Sequence, residues 1–430
     1  MNYACPLYSL SEGVRITFLR RKVFMIRFLI NNIRWLSVGF LLTFASTGGQ
    51  TWFISLCSSS IKEQFALSDG EWGGLYTLAT LASAVIMFWQ GSIVDRVSSR
   101  FITLTTACLF GIASIGMAVG QSVWILGCSL FLLRFCGQGM FGHIAMTSLG
   151  RWFVNHRGRA VALANLGYPA SEILLAAPAV IVIEALSWQA LWICVAIFLF
   201  LIFLPTMAAL LQTDRVPTQL TQQHMLSGLQ GRHWTRHDAM RHWLLPALLP
   251  TLLTPGLMGT VLFFNQTHLA EVKGWKLVAM APAFSCFALS GVLASFWAGW
   301  AVDRFGGHRL IPFLLLPIGF GMALVSQATS ITAWYLALGS MGITMGMSSA
   351  LWGAVLPALY GTQHLGSIRS LTTTVMVFST AIGPGLTGLI IDWGVDFTTQ
   401  CIGFSSWCFL VAAGSFFVNK RLTKELDISS

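Results

Sequence analysis

Apolar runs of about 17 to 25 residues, the length that crosses a bilayer as a helix, recur along the whole chain with short polar turns between them. They predict twelve helices. In the first half these fall near 35–57, 72–90, 101–120, 123–149, 160–184 and 188–211. In the second half they fall near 243–266, 277–298, 310–327, 331–360, 370–391 and 401–419. The fourth and tenth runs are the longest and are expected to tilt or to extend beyond the hydrocarbon. Between the halves, 212–242 is polar and basic and carries Pro217, Gly228 and Gly231. This divides the chain into a tail over 1–34, a six-helix bundle over 35–211, a linker over 212–242, a second bundle over 243–419 and a tail over 420–430.

Composition supports the same reading. Charged residues make up 9% of the chain and hydrophobic ones 55%, whereas soluble domains carry about 25% charged residues. So few charges exclude a soluble enzyme, a disordered chain and a secreted disulfide scaffold. The net charge of +10 would fit a nucleic-acid partner only if it formed one basic face. Instead, 21 of the 25 Lys and Arg lie in clusters at alternate connections, in the linker and in the two tails. That distribution places both termini in the cytoplasm and argues against nucleic acid. The nine cysteines show no CxxC spacing and read as small apolar packers. No cleavable signal pattern opens the chain; the first two dozen residues, before Met25, read as a tail or as sequence upstream of the native start. The linker histidines, His224, His233, His237 and His242, lack ligand spacing and read as solvated, so neither a metal nor a cofactor is expected.

The chain also repeats itself. Gly91-Ser-Ile-Val-Asp95-Arg96 follows the second run, and Gly299-Trp-Ala-Val-Asp303-Arg304 follows the eighth, 208 residues later. The same offset relates Gly158 to Gly366 and Gly48 to Gly256. An internal duplication with parallel halves accounts for this.

The doubled G-x-x-x-D-R loop in a twelve-span chain resembles the major facilitator superfamily. Leu130-x-x-x-Arg134-x-x-x-Gln138-Gly139 is similar to the family's motif in helix 4. Arg151-Trp-Phe-Val-Asn-His-Arg157-Gly158-Arg159-Ala160 is similar to the loop 4–5 signature of its organic-anion and monocarboxylate-type branches. The chain departs from that branch in helix 1, where Ser46-Thr-Gly48-Gly49-Gln50 lacks an acidic residue, and in 277–298, which lacks any charge. The resemblance implies an all-α membrane protein with twelve transmembrane helices in two pseudo-symmetric six-helix bundles. It further implies a monomeric, multi-pass transporter of a bacterial-type inner membrane, working by alternating access on a small-molecule substrate. Gly91, Asp95, Arg96 and Arg100, with Gly299, Asp303, Arg304 and Arg309, would form loops that hold the bundles together on the cytoplasmic side; orientation alone would also explain their basic residues.

Arg134 lies about eleven residues into helix 4, hence ~16 Å deep, where a charge is expensive and usually marks a substrate or ion path. Glu172 falls at a similar depth in helix 5. Two roles are open for them. They can form a permanent structural pair, or Arg134 can bind an anion that protonation of Glu172 releases. No nucleotide-binding loop is present, so energy would come from an ion gradient, with protons as the coupling ion. Movement of a small organic anion is one expectation; a proton-driven exporter of hydrophobic drugs, or of a larger metabolite such as a siderophore, is the other. Gln50, Gln138, Asn265, Gln266, Ser348, Trp352 and Thr373 are further cavity candidates. His143 reads as packed, and Trp52, Trp188 and Trp243 as interfacial anchors. Gly48-Gly49-Gln50 and Thr254-Pro255-Gly256 sit at matching points of the two halves, as interruptions that flag a site or as ordinary packing glycines.

Overall fold

The computed structural model describes residues 28–90, 93, 97–153, 157–213 and 228–429, and every regular element among them is helical. Twelve long helices form the frame. The first half holds α1 (Phe28–Gly49), α2 (Asp69–Gln90), α3 (Ser99–Val119), α4 (Val123–Trp152), α5 (Gly158–Ala185) and α6 (Trp188–Leu210). The second half holds α7 (Leu244–Phe264), α8 (Leu277–Phe305), α9 (Gly307–Gln327), α10 (Thr332–Tyr360), α11 (Leu365–Asp392) and α12 (Phe397–Glu425). Eleven of these are long and apolar enough to cross a membrane. The twelfth, α2, has 22 residues, about 33 Å at 1.5 Å per residue. Its Gly70, Gly73, Thr77 and Thr80 lower its hydropathy because they face other helices rather than lipid.

The 208-residue repeat is visible in the helix ends. Ser99 and Gly307 open α3 and α9, and Val119 and Gln327 close them. Local chemistry sets many boundaries. Ser98, Ser122 and Ser187 cap α3, α4 and α6 through bonds to Phe101, Ile125 and Ala190. Asp396 caps α12 by accepting from the Thr399 N–H at 2.7 Å, and that bond with the Thr398 hydroxyl holds its carboxyl below the usual range. Gly306 and Gly361, at φ +83° and +76°, end α8 and α10 in a conformation that side chains avoid.

Helix 1 starts earlier than residue 35. Phe28 is buried edge-on against Phe153, and Arg34 Nε donates to the Leu210 carbonyl at 2.8 Å, satisfying the end of α6. The second part of the linker is anchored at three buried residues, although His237 and most of its neighbours are exposed. Leu229, Trp234 and Ala239 are buried, the Trp234 N–H donates to the Tyr360 carbonyl at 3.1 Å, and the Trp234 ring meets His242 at 4.7 Å. A tryptophan and a leucine among polar residues are enough to dock this segment on the end of α10. His224 lies outside the described residues.

The halves close on each other at the face opposite the linker, called here the far face. Gly73 of α2 lies against Pro384 and Gly385 of α11, where Thr77 Oγ1 donates to the Ala381 carbonyl at 2.7 Å and accepts the Gly385 N–H at 3.1 Å. Ser55 Oγ donates to the Phe263 carbonyl at 2.7 Å. These two residues are themselves 208 apart, so the pseudo-twofold axis runs between them. Trp52 packs on Phe284 at 4.9 Å and is 3% exposed; it seals this seam instead of anchoring at the interface. Trp188 is likewise buried. Trp243 donates to Glu425 at 3.1 Å under the Arg421 guanidinium.

Candidate functional site

The symmetry between the halves fails where α1 meets α4. Helix α1 tightens into a 3-10 turn over Ser46–Gly49, Gln50 is extended at φ −80° and ψ 147°, and helical structure resumes at Thr51–Ile54. Its counterpart α7 stays helical from Leu244 to Phe264 despite Pro250 and Pro255. Beside the break, α4 widens into a π-helical stretch over Arg134–Phe141, while α10 is α-helical throughout. Localised π-turns are frequent at functional sites, and this one is built by glycine. A Cβ on Gly49 would lie 2.6 Å from the Gln138 nitrogen and 2.7 Å from the Gly137 Cα, so the two backbones touch.

Breaking a helix in a membrane frees backbone groups that must be satisfied from elsewhere. Arg134 does this. Its Nη1 donates to the Gly49 carbonyl at 2.9 Å and to Thr51 Oγ1 at 3.3 Å, and its Nε donates to Thr80 Oγ1 at 3.2 Å. The guanidinium also lies 5.0 Å from the Tyr76 ring centroid, and the Tyr76 hydroxyl donates to Thr51 at 2.8 Å. Arg134 is 1% exposed, and its Nη2 is buried with no partner. All its acceptors are neutral. Tyr76 in turn packs against Phe264 of the other half at 4.9 Å, so the cation sits one ring behind the far seam.

A permanent Arg134–Glu172 pair is therefore overturned. Glu172 is half-buried on α5 and makes no ion pair among the described residues. Equal depth does not fix azimuth: Arg134 turns toward α1 and α2, whereas Glu172 shares a helical stripe with Asn165 and Tyr168. Gln50 donates to Ser46 Oγ at 3.4 Å beside the break, and Gln138 is half-buried in the π-helical stretch. Trp352 is half-buried with its indole N–H lacking a partner; Ser348 is half-buried and Thr373 exposed.

Two cavity candidates bridge elements instead, Asn265 within its own half and Gln266 across the seam. Asn265 donates to the Val261 carbonyl at 2.8 Å and to Thr387 at 3.0 Å. Gln266 donates across the halves to the Trp52 carbonyl at 2.8 Å and to Ser55 at 2.7 Å. Asn265 caps the end of α7 and Gln266 opens the short helix after it, where polar groups bridge elements rather than line a path. Gly91, Asp95 and Arg96 lie outside the described residues. Asp303 and Arg304 occupy the last turn of α8, not the connection after it, because Gly306 is the residue that stops the helix. With Arg100 and Arg309 they are exposed, and Gly299 is half-buried. His143 is half-buried. Among the described residues no cluster of His, Cys, Asp or Glu is arranged to hold a metal.

Thr51, Tyr76 and Thr80 complete the surroundings of Arg134 and are not singled out by the sequence. Tyr76 and Thr80 are four apart on α2, with Trp72 one turn earlier, a facing stripe that could have flagged them.

A broken helix braced by a buried cation, at the middle of two six-helix halves that meet along a seam, defines a membrane transporter. The family model described as Major Facilitator Superfamily matches residues 39–384, and the chain belongs to that superfamily. It is 21% identical over 384 residues to the gentisate transporter of Corynebacterium glutamicum, covering 86% of this chain and 84% of that one. It is 25% identical over 383 residues to mouse monocarboxylate transporter 11, covering 84% and 81%. The multidrug resistance protein MdtL of Shewanella oneidensis is 23% identical over 283 residues, covering 64% and 67%. A bacterial homolog of the human lysosomal transporter Spinster, solved in an inward-facing and unoccupied conformation, superposes with TM-score 0.67 at 14% identity, covering 91% of this chain and 97% of that one. The chain is a multi-pass membrane transporter of small molecules and not an enzyme.

Proposed function

We propose that the protein is a secondary active transporter that moves a small organic anion together with protons, by alternating access, as a monomer in a bacterial-type inner membrane with both termini cytoplasmic. The observation that carries this reading is the Arg134 guanidinium, held at mid-membrane depth by neutral acceptors alone and keeping one nitrogen without a partner. An uncompensated buried cation attracts an anion and selects against cations. In that orientation the far face is the outer one, and the conformation described is closed to the outside. Opening the outer seam moves Phe264 off Tyr76 and uncovers the guanidinium, so the anion meets Arg134 in the outward-open form. Glu172, without an ion pair, is free to carry the coupling proton. Gln50, Gln138 and Trp352 supply neutral contacts. The loops of Gly91, Asp95, Arg96 and Arg100, and of Gly299, Asp303, Arg304 and Arg309, would clasp the cytoplasmic face in that outward-open form. The names of the gentisate and monocarboxylate relatives, each matched over most of both chains, support carboxylates as the substrate class.

A second reading is favoured by the 1% exposure of Arg134 and by the likeness to MdtL. In it, Arg134 only braces the helix break, and Glu172 serves a proton-driven exporter of hydrophobic drugs or of a larger metabolite such as a siderophore. Ligand-induced thermal stabilisation separates the two, since a ligand at 100 times its Kd adds about 2.7 kcal/mol. Stabilisation by a carboxylate that disappears in Arg134→Gln supports the anion transporter. Stabilisation by lipophilic cations alone, lost in Glu172→Gln, refutes it.

A further inference from the structure

We infer that His268 is a second proton-binding site, separate from Glu172, whose occupation opens the far seam. His268 belongs to the C-terminal half, on the short helix Gln266–Lys273 that follows α7. It reaches across the seam: its Nδ1 lies 3.9 Å from Asp69 Oδ1 at the start of α2. The same oxygen receives Lys62 Nζ at 2.7 Å, so Asp69 is already neutralised from within its own half. The His268 side chain is 15% exposed, and its Nε2 is buried with no partner.

A neutral imidazole tolerates these surroundings. At 3.9 Å it makes no hydrogen bond to Asp69, and the closed seam does not depend on its proton. An imidazolium is accommodated badly. It places a second cation against a carboxylate that Lys62 has already claimed, and both its ring nitrogens then donate, one of them to nothing. The charged groups around it are Asp69 and Lys62 from the first half, Glu271 on its own helix and Asp396 from the turn between α11 and α12. The three carboxylates favour the charged ring, whereas burial and Lys62 oppose it. Burial is the largest effect and lowers the imidazole below its ordinary value of 6.5.

Opening the seam returns His268 to water and separates it from Asp69 and Lys62 together, whose effects on the ring oppose each other, so relief of burial, the largest effect, decides the direction. The open form therefore binds the proton more tightly, and the closed form carries fewer protons. Linkage then gives the sign: the closed seam is fully favoured above the ordinary histidine range and loses ground as pH falls below it. Acid on the far side would open the gate on that side. Asp392 at the end of α11 adds to the closure, accepting from Ser68 Oγ at 2.7 Å and from the Gly70 N–H at 2.9 Å. That carboxylate caps the N-terminus of α2 from the opposite half, at the positive end of the helix dipole.

The test is hydrogen–deuterium exchange of the full chain in nanodiscs at about pH 5.5 and 7.5, spanning the histidine range, with times corrected for intrinsic exchange. The reporter is the segment 66–76, which contains the Gly70 amide. The wild type is expected to exchange there severalfold faster at the lower pH. His268→Gln and His268→Asn should both flatten that step while protection in α3 and α9 is unchanged. Glu172→Gln should keep it. Equal corrected exchange at the two pH values in the wild type, or a step that survives in both His268 variants, overturns the assignment. So does a step lost in Glu172→Gln and kept in His268→Gln.

Discussion

Replacing Gly49 by alanine adds one methyl group at the point where the broken helix touches α4. That methyl would lie 2.6 Å from the Gln138 nitrogen and 2.7 Å from the Gly137 Cα, against an ordinary contact of 3.4–4 Å. Both neighbours are backbone, so no side chain can turn aside, and the helices must part by roughly 0.7–1 Å to restore van der Waals spacing. Overpacking of this kind costs about 1–3 kcal/mol. The parting also stretches the 2.9 Å bond from Arg134 to the Gly49 carbonyl, and a bond of this type between membrane helices is worth about 0.6–1.7 kcal/mol. A total of roughly 2–5 kcal/mol follows from the two terms. Thermal unfolding of the purified protein, followed by tryptophan fluorescence, measures it by rank. Gly74 on α2 is the control, because a Cβ there meets nothing within 4 Å and alanine is the better helix former. Gly48 should fall between, since its Cβ would meet side chains alone, the Phe110 ring at 3.0 Å and Val195 Cγ1 at 3.6 Å. The expected order of stability is Gly74→Ala at or above wild type, then Gly48→Ala, then Gly49→Ala. A Gly49→Ala protein as stable as Gly74→Ala would refute the claim that α1 breaks in order to dock on α4.

Glu172→Gln should leave substrate exchange across proteoliposomes intact and abolish accumulation driven by a pH gradient; loss of exchange as well would make Glu172 a binding residue. Asp392→Asn removes a charge from the N-terminus of α2, worth about 1 kcal/mol at an exposed site, and should shift the closed-to-open ratio of the seam about fivefold. Distance measurements between spin labels on α2 and α11 would register this shift, and an unchanged distribution would show that Asp392 holds nothing. Trp234→Ala should raise proteolysis within 228–242, because that ring seats the linker against Tyr360; unchanged cleavage would mean that the backbone contact suffices.

The twelve helices and their duplication are legible in the sequence because lipid imposes a simple rule on length and apolarity. The 208-residue offset carries through to the helix ends of α3 and α9. Side-chain azimuth is not legible in the same way. Arg134 and Glu172 share a depth, which rise per residue gives directly, yet they face different neighbours. The brace on Gly49 depends on a break in α1 and a widening of α4 that only their contact produces. The sequence marks Gly48-Gly49-Gln50 and Thr254-Pro255-Gly256 alike, but α7 absorbs its prolines without breaking. Asn265 and Gln266 look like cavity residues in one dimension because polar residues near a helix end can tie elements together as well as line a site. Asp392, Asp69 and His268 gain meaning only when the two halves are brought together.

The central claim is tested most directly by uptake of a radiolabelled aromatic carboxylate such as gentisate into proteoliposomes under an imposed pH gradient, acid outside. The account predicts accumulation above the external concentration by the wild type, its loss in Arg134→Gln, and partial retention in Arg134→Lys, which keeps the charge without the planar fork. Both variants should be accepted only if they remain folded by thermal unfolding. Uptake unchanged in a folded Arg134→Gln protein, or transport of lipophilic cations with none of carboxylates, would contradict it.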